Sequence, residues 1–157
     1  MSPAYFSALA GIALLVLAVA VVPRLLLRRA QDRLAARLLA EGGGGYRLLT
    51  RADLVTGARR RLPGVLGLTA DSVVFEGLFG EREIVALSRI ARIITGRRLS
   101  TGRQLVRQEA LRIARTGGGE LEAVLSPASA GAWRSHLGLW AVEERKAAMD
   151  TVTPGKK

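Results

Sequence analysis

The sequence predicts an α+β protein that is mainly β: a seven-strand bent sheet or partial barrel, capped by a C-terminal helix and preceded by one transmembrane helix. Three observations predict this class. A long run without a charged residue, from Ala4 to Val22, lies near the amino terminus. From Tyr46 onward, apolar residues recur in short runs with the alternation of β-strands. After Ser126-Pro127 they recur at helical spacing instead.

The uncharged run, AYFSALAGIALLVLAVAVV, is long enough as a helix to match the ~30 Å hydrocarbon core of a bilayer. We therefore predict a transmembrane helix over residues 1–23. A cleaved signal peptide is the alternative, because Ala18-Val19-Ala20 offers a cleavage site. However, no lysine or arginine precedes the run, as a signal peptide would require.

Residues 24–41 carry an excess of arginine directly after the predicted span. By the positive-inside rule, we expect a single-pass protein of the inner (plasma) membrane, with its amino terminus outside and its C-terminal domain cytoplasmic. We expect this segment to form an amphipathic helix on the membrane surface, or alternatively to act only as a topology signal. Gly42 to Gly45 form a predicted hinge. The expected membrane-surface contacts are Arg24, Arg28, Arg29, Arg33 and Arg37.

Residues 46–148 form the predicted cytoplasmic domain, and residues 149–157 form a flexible tail. The sequence Thr116–Gly119, TGGG, is expected to connect the last two strands as a hairpin. The closing helix is expected to bury one face that carries Trp133, His136, Leu137 and Trp140. Strands are predicted near Tyr46–Gly57, Val65–Ala70, Ser72–Glu76, Arg82–Ala86, Ile90–Thr95, Gln104–Arg115 and Glu120–Leu125.

Four segments in this order, GVLGLTADSVVFEG, REIVALSRIARI, ALRIARTGGGELEAVL and AWRSHL, resemble the bacterial PH-like and GRAM domains. The resemblance covers roughly residues 46–144 and implies a PH-like fold, because its landmarks are turn and core positions. With the predicted anchor, it implies a membrane protein of a GC-rich bacterium. The matching positions are Gly64, Leu66, Leu68, Thr69, Val73 or Val74, Phe75, Ile84, Leu87, Ile90, Leu111, Ile113 and Trp133.

The residue types needed for catalysis or metal binding are scarce. The chain has no cysteine and one histidine, His136, which we expect to pack in the core. The acidic pairs Glu120 with Glu122, and Glu143 with Glu144, are expected to be solvated charge. We therefore predict no enzyme, no metal site and no cofactor.

Two arginine clusters are the candidate binding sites: Arg59, Arg60 and Arg61 at a turn between the first two strands, and Arg97, Arg98 and Arg103 in the loop before the sixth strand. The resemblance implies that the first turn contacts acidic headgroups, and a guanidinium group can bind phosphate with two hydrogen bonds. The formal net charge of +11 also fits a coding bias toward arginine or an acidic protein partner. Nucleic acid is not expected, because aromatic residues are 4% of the chain.

The predicted function is that of a membrane-anchored, non-catalytic binding module. Its basic loops contact anionic phospholipids or the surface of the lipid bilayer. The alternative is a scaffold or assembly protein that docks another membrane protein or a cytoplasmic partner.

Overall fold

The structure, a computed structural model, describes residues 3–42, 45–57 and 60–138 of the 157. In the first helix, side chains are described for residue 12 and from residue 14 onward. Arg59, the hinge glycines 43–44 and all of residues 139–157, including Trp140 and the Glu143-Glu144 pair, lie outside the described residues.

Helix α1, Pro3–Glu41, is continuous through both predicted N-terminal segments, with Pro23 inside it. Within the described part of the chain, no helix is both long and apolar enough to cross a membrane. The transmembrane helix of the predicted fold class is therefore a wrong prediction.

The described strands form one seven-stranded antiparallel sheet with the order β4-β3-β2-β1-β7-β6-β5. Pairing of β1 with β7 joins the two halves of the chain into one curled sheet, a half-barrel. The Thr116–Gly119 turn connects β6 and β7 as predicted, with positive φ at its three glycines. The strands are β1 (Leu48–Thr56), β2 (Arg60–Leu68), β3 (Ser72–Gly77), β4 (Arg82–Ala86), β5 (Ile90–Gly96), β6 (Glu109–Arg115) and β7 (Glu120–Leu125).

Strand β2 begins five residues earlier than its prediction, so Pro63-Gly64 lies inside a strand and not in a turn. The Pro63 carbonyl accepts a hydrogen bond from the Leu78 amide at 2.9 Å, on the side away from β1. Its ring nitrogen points to that same side, so no bond with β1 is lost. At Gly64 a Cβ atom would lie 2.2 Å from the Glu76 carbonyl oxygen, so only glycine allows β3 to approach this closely.

The concave side of the sheet holds the main core and is covered by helix α2, residues 127–138. Ser126 caps this helix as predicted, accepting a hydrogen bond from the Ser129 amide at 3.1 Å. Ala130, Trp133 and Leu137 are its buried residues. His136, predicted to share this buried face, is exposed, because it lies about 100° round the helix from Leu137, outside the arc that contains Ala130, Trp133 and Leu137.

The convex side of the sheet is covered in two places. Helix α1 packs on β1 and β2, so part of the surface of the predicted membrane-surface helix contacts the sheet. The loop of residues 97–108 covers β6 and β7, burying Leu99 and Leu105 against Ala110 and Val124. These two coverings shield parts of the convex side from solvent.

Candidate functional site: an arginine-lined groove

An open groove of about 860 Å³ lies on the convex side, between α1 and the loop 97–108. Strands β1 and β7 form its floor, and the start of α2 closes one end. Five arginines and two aspartates line it, so its formal charge is positive. The charged lining residues are Arg24, Arg28, Asp32, Arg51, Asp53, Arg61 and Arg107.

The helical wall of the groove is one face of α1. Arg24, Arg28 and Gln31 recur at the spacing of residues that share a helix face. Gln31 is buried, and its Nε2 donates to the Gly64 carbonyl oxygen at 2.9 Å and to the Ala52 carbonyl oxygen at 3.3 Å. One side-chain amide thus binds backbone atoms of β2 and β1, and it positions both arginines beside the floor.

The floor of the groove follows from the alternation of β1. Ala52 and Leu54 point to the concave core, so Arg51 and Asp53 point to the convex side. The Arg51 Nε atom lies 2.5 Å from the Asp32 Oδ1 atom of α1. This ion pair fastens the helix to the sheet and largely neutralises Arg51, which leaves the other lining arginines to set the charge of the groove.

Asp53 is half-buried on the floor. Its burial raises the pKa of the carboxyl group above the ordinary value of 3.8, while the charge of Arg61 and a hydrogen bond with Gln31 act in the opposite direction. Desolvation is the largest of these effects. The charge of Arg61 and the hydrogen bond with Gln31 therefore offset only part of the cost of burying this carboxylate.

The opposite wall begins with Arg61 and continues into the loop 97–108. The Arg61 Nη1 atom donates to the Gln108 Oε1 atom at 3.1 Å, which joins the start of β2 to the end of this loop. Arg107, next to Gln108, is exposed and also lines the groove. Among the described residues, neither Arg61 nor Arg107 forms a salt bridge.

Glu122 holds the loop in place. Its Oε1 atom accepts from the Ser100 amide at 2.7 Å and its Oε2 atom from the Ser100 hydroxyl at 2.8 Å. Glu122 is buried and also lies 3.6 Å from the Arg112 Nε atom, whereas Glu120 pairs with Arg112 nearer to solvent. The prediction that Glu122 is solvated charge is wrong, because the loop covers this part of the sheet.

The structure divides the predicted site residues. Arg60 is exposed at the first position of β2, and Arg61 lies in the groove. Arg97, Arg98 and Arg103 are exposed at the tip of the loop, away from the lining residues. On α1, Arg24 and Arg28 line the groove, while the exposed side of the helix carries Arg29, Arg33 and Arg37.

The lining residues that were not identified as site residues from the sequence include Gln31, Arg51, Asp53 and Arg107. A signal existed for the two in β1, because strict alternation places both on the face opposite Ala52 and Leu54. No local pattern marks Gln31 or Arg107. They belong to the groove only because α1 and the loop fold over the same side of the sheet.

The fold and the groove together define a class: a β half-barrel with a helix at each end and a polar groove on its outer face. No family model matches the chain, and no curated protein matches it. It is similar to a solved structure, the crystal structure of the C-terminal domain of an unknown protein from Leishmania infantum. The identity is 12% and the TM-score 0.51, and the match covers 67% of this chain and 93% of that chain. At this identity the likeness concerns the fold alone.

Proposed function

We propose that the protein is a non-catalytic binding module that associates with anionic lipid bilayers. The proposal includes a half-barrel of the PH-like type, as the sequence resemblance implies. The observation that carries it is the amino-terminal part of α1, where large apolar side chains are 39–68% exposed. These are Ile12, Leu14, Leu15, Val16, Leu17, Val19, Val21, Val22, Leu25, Leu26 and Leu27.

The four consecutive exposed residues 14–17 point to all sides of the helix. A helix that is apolar all round is normally buried, and a large exposed apolar surface marks an interaction site. Arginines follow this surface within two turns, and Arg29, Arg33 and Arg37 recur along one exposed side. An apolar surface next to a row of cations matches a bilayer, in which acyl chains lie beside anionic headgroups.

Three exposed arginines of the loop 97–108 add further cationic side chains to the surface. Arg97, Arg98 and Arg103 lie on a small hairpin in which the Leu99 amide donates to the Arg103 carbonyl at 2.9 Å and the Leu105 amide to the Arg97 carbonyl at 2.7 Å. The hairpin presents their side chains without involving them in its own backbone bonds. Each arginine that comes near an anionic surface contributes on the order of 1 kcal/mol.

Vesicle flotation of the full chain tests the proposal. We expect stronger flotation with phosphatidylcholine vesicles that contain phosphatidylglycerol than with phosphatidylcholine alone, and we expect added salt to reduce the difference. Substituting Leu15→Glu with Val19→Glu should weaken flotation on both vesicles. Substituting Arg29→Gln with Arg33→Gln should remove only the preference for the anionic vesicles.

The matched control is Arg92→Gln, an exposed arginine on β5 that belongs to neither basic surface. Absence of flotation of the unsubstituted chain with anionic vesicles at low salt would refute the proposal.

A scaffold that docks a protein partner is the second candidate. The groove favours it, because its lining arginines face a space that the described chain does not fill.

A further inference from the structure

We propose that the groove binds an acidic segment of a partner protein in an extended conformation. The groove is separate from the solvent-facing row of α1 arginines and from the tip of the loop. Its size suits a short peptide, since ligand pockets of ~300–1,000 Å³ are usual and this groove has about 860 Å³.

The shape of the groove favours a chain over a compact anion. Its helical wall runs from Arg24 to Ala35, a distance of about 17 Å at ~1.5 Å per residue. An extended peptide of about five residues, at ~3.3 Å each, spans that length. Leu27 and Leu49, the lining leucines that are not buried, would contact the non-acidic residues of such a segment.

The arginines of the groove are placed to bind carboxylates along that segment. Arg24 and Arg28 stand on the helical wall, and Arg61 and Arg107 on the opposite wall. Successive side chains of an extended chain point to opposite sides, so acidic residues can reach both walls. Guanidinium groups bind carboxylates with two parallel hydrogen bonds.

Phosphate-bearing ligands fit this arrangement less well. A headgroup or a free phosphate is bound by cationic groups that converge on one point, whereas these arginines are divided between two walls. The described lining contains no aromatic residue on which a nucleic-acid base could stack. A protein segment therefore accounts for the length, the charge and the apolar part of the lining together.

Fluorescence anisotropy with the full chain in neutral detergent micelles tests this inference. The probe is a labelled eight-residue peptide of alternating glutamate and alanine, compared with the matching peptide of alternating lysine and alanine. We expect the acidic peptide alone to bind. Arg107→Glu, or Arg61→Gln with Arg107→Gln, should weaken binding at least tenfold, about 1.4 kcal/mol.

The matched control is Arg29→Glu with Arg33→Glu, which should leave peptide binding within twofold while it impairs vesicle flotation. Because the two assays use different variants, failure of the groove and failure of lipid binding are distinguishable. Circular dichroism verifies that each variant is folded. The inference is overturned if the acidic peptide does not bind at low salt, or if both sets of variants weaken peptide binding equally. It is also overturned if inorganic phosphate, at the same concentration as the peptide, displaces the peptide.

Discussion

Asp53 illustrates how a single residue is changed by its tertiary surroundings. In the sequence it is one polar residue of an alternating strand, but α1 covers it and raises the pKa of its carboxyl group through burial. Asp71, at the tip between β2 and β3, is the opposite case. Hydrogen bonds from Thr69 and Ser72 lower the pKa of its carboxyl group below 3.8.

These two shifts predict opposite responses of stability to pH. A raised pKa means that the folded state binds more protons than the unfolded state, so the Asp53 carboxyl group lowers stability as pH rises above about 3.8. Asp53→Asn should therefore increase the free energy of unfolding at pH 7, with a smaller gain near pH 3. Asp71→Asn should decrease the free energy of unfolding at pH 7. The lowered pKa of Asp71 stabilises the fold at pH values above 3.8, and this stabilisation is lost as the pH falls through the pKa of the folded state. Urea denaturation at both pH values measures each effect, and a loss of stability in Asp53→Asn at pH 7 would contradict the first.

At the scale of elements, helix α1 and the loop 97–108 are each attached to the convex side of the sheet by a hydrogen-bonding side chain. Gln31 attaches α1 to backbone atoms of two strands, and Glu122 attaches the loop 97–108 through Ser100. In both cases one buried polar side chain meets two partners, which satisfies groups that would otherwise be buried without hydrogen bonds. The groove exists between these two attachments, so its width depends on them.

Glu122→Ala should release the loop. It removes two hydrogen bonds to a charged acceptor, each worth about 1.5–3 kcal/mol, and leaves the Ser100 amide without its partner. We expect faster hydrogen exchange at Ser100 and its neighbours and a loss of about 2 kcal/mol or more in stability. Glu120→Ala is the control, since its more exposed pair with Arg112 is worth ~1 kcal/mol or less. Unchanged exchange at Ser100 in Glu122→Ala would show that the loop is held by other contacts.

At the scale of the whole molecule, the half-barrel is stabilised by contacts between elements that are far apart in the sheet order or in the chain. Helix α2 crosses the concave side, and the buried Trp133 donates from Nε1 to the Thr50 Oγ1 atom of β1 at 2.7 Å. Across the open side, Arg115 of β6 pairs with Glu83 of β4. Helix α2 is thereby joined to the first strand, and the last half of the sheet to the first half.

Thr50→Val tests the first of these closures. The substitution keeps the shape of the side chain but leaves the buried indole N–H without an acceptor, which costs about 1–3 kcal/mol. Trp133→Phe with Thr50→Val should cost less than the sum of the two single changes, because the unpaired donor is gone. Thermal or urea unfolding of the four proteins gives the coupling. Strict additivity would indicate that the hydrogen bond does not contribute.

The sequence by itself determined the local features of this protein. Alternation and turn residues identified the seven strands, TGGG the last hairpin, and Ser126-Pro127 the start of α2, because each of these depends on neighbours in the chain. Only the tertiary structure decided what covers each polar face. Local patterns assigned Glu122 to solvent and His136 to the core, since they record the polarity of a face but not its partner. The groove required the fold, because its arginines come from four segments that only the curled sheet brings to one side.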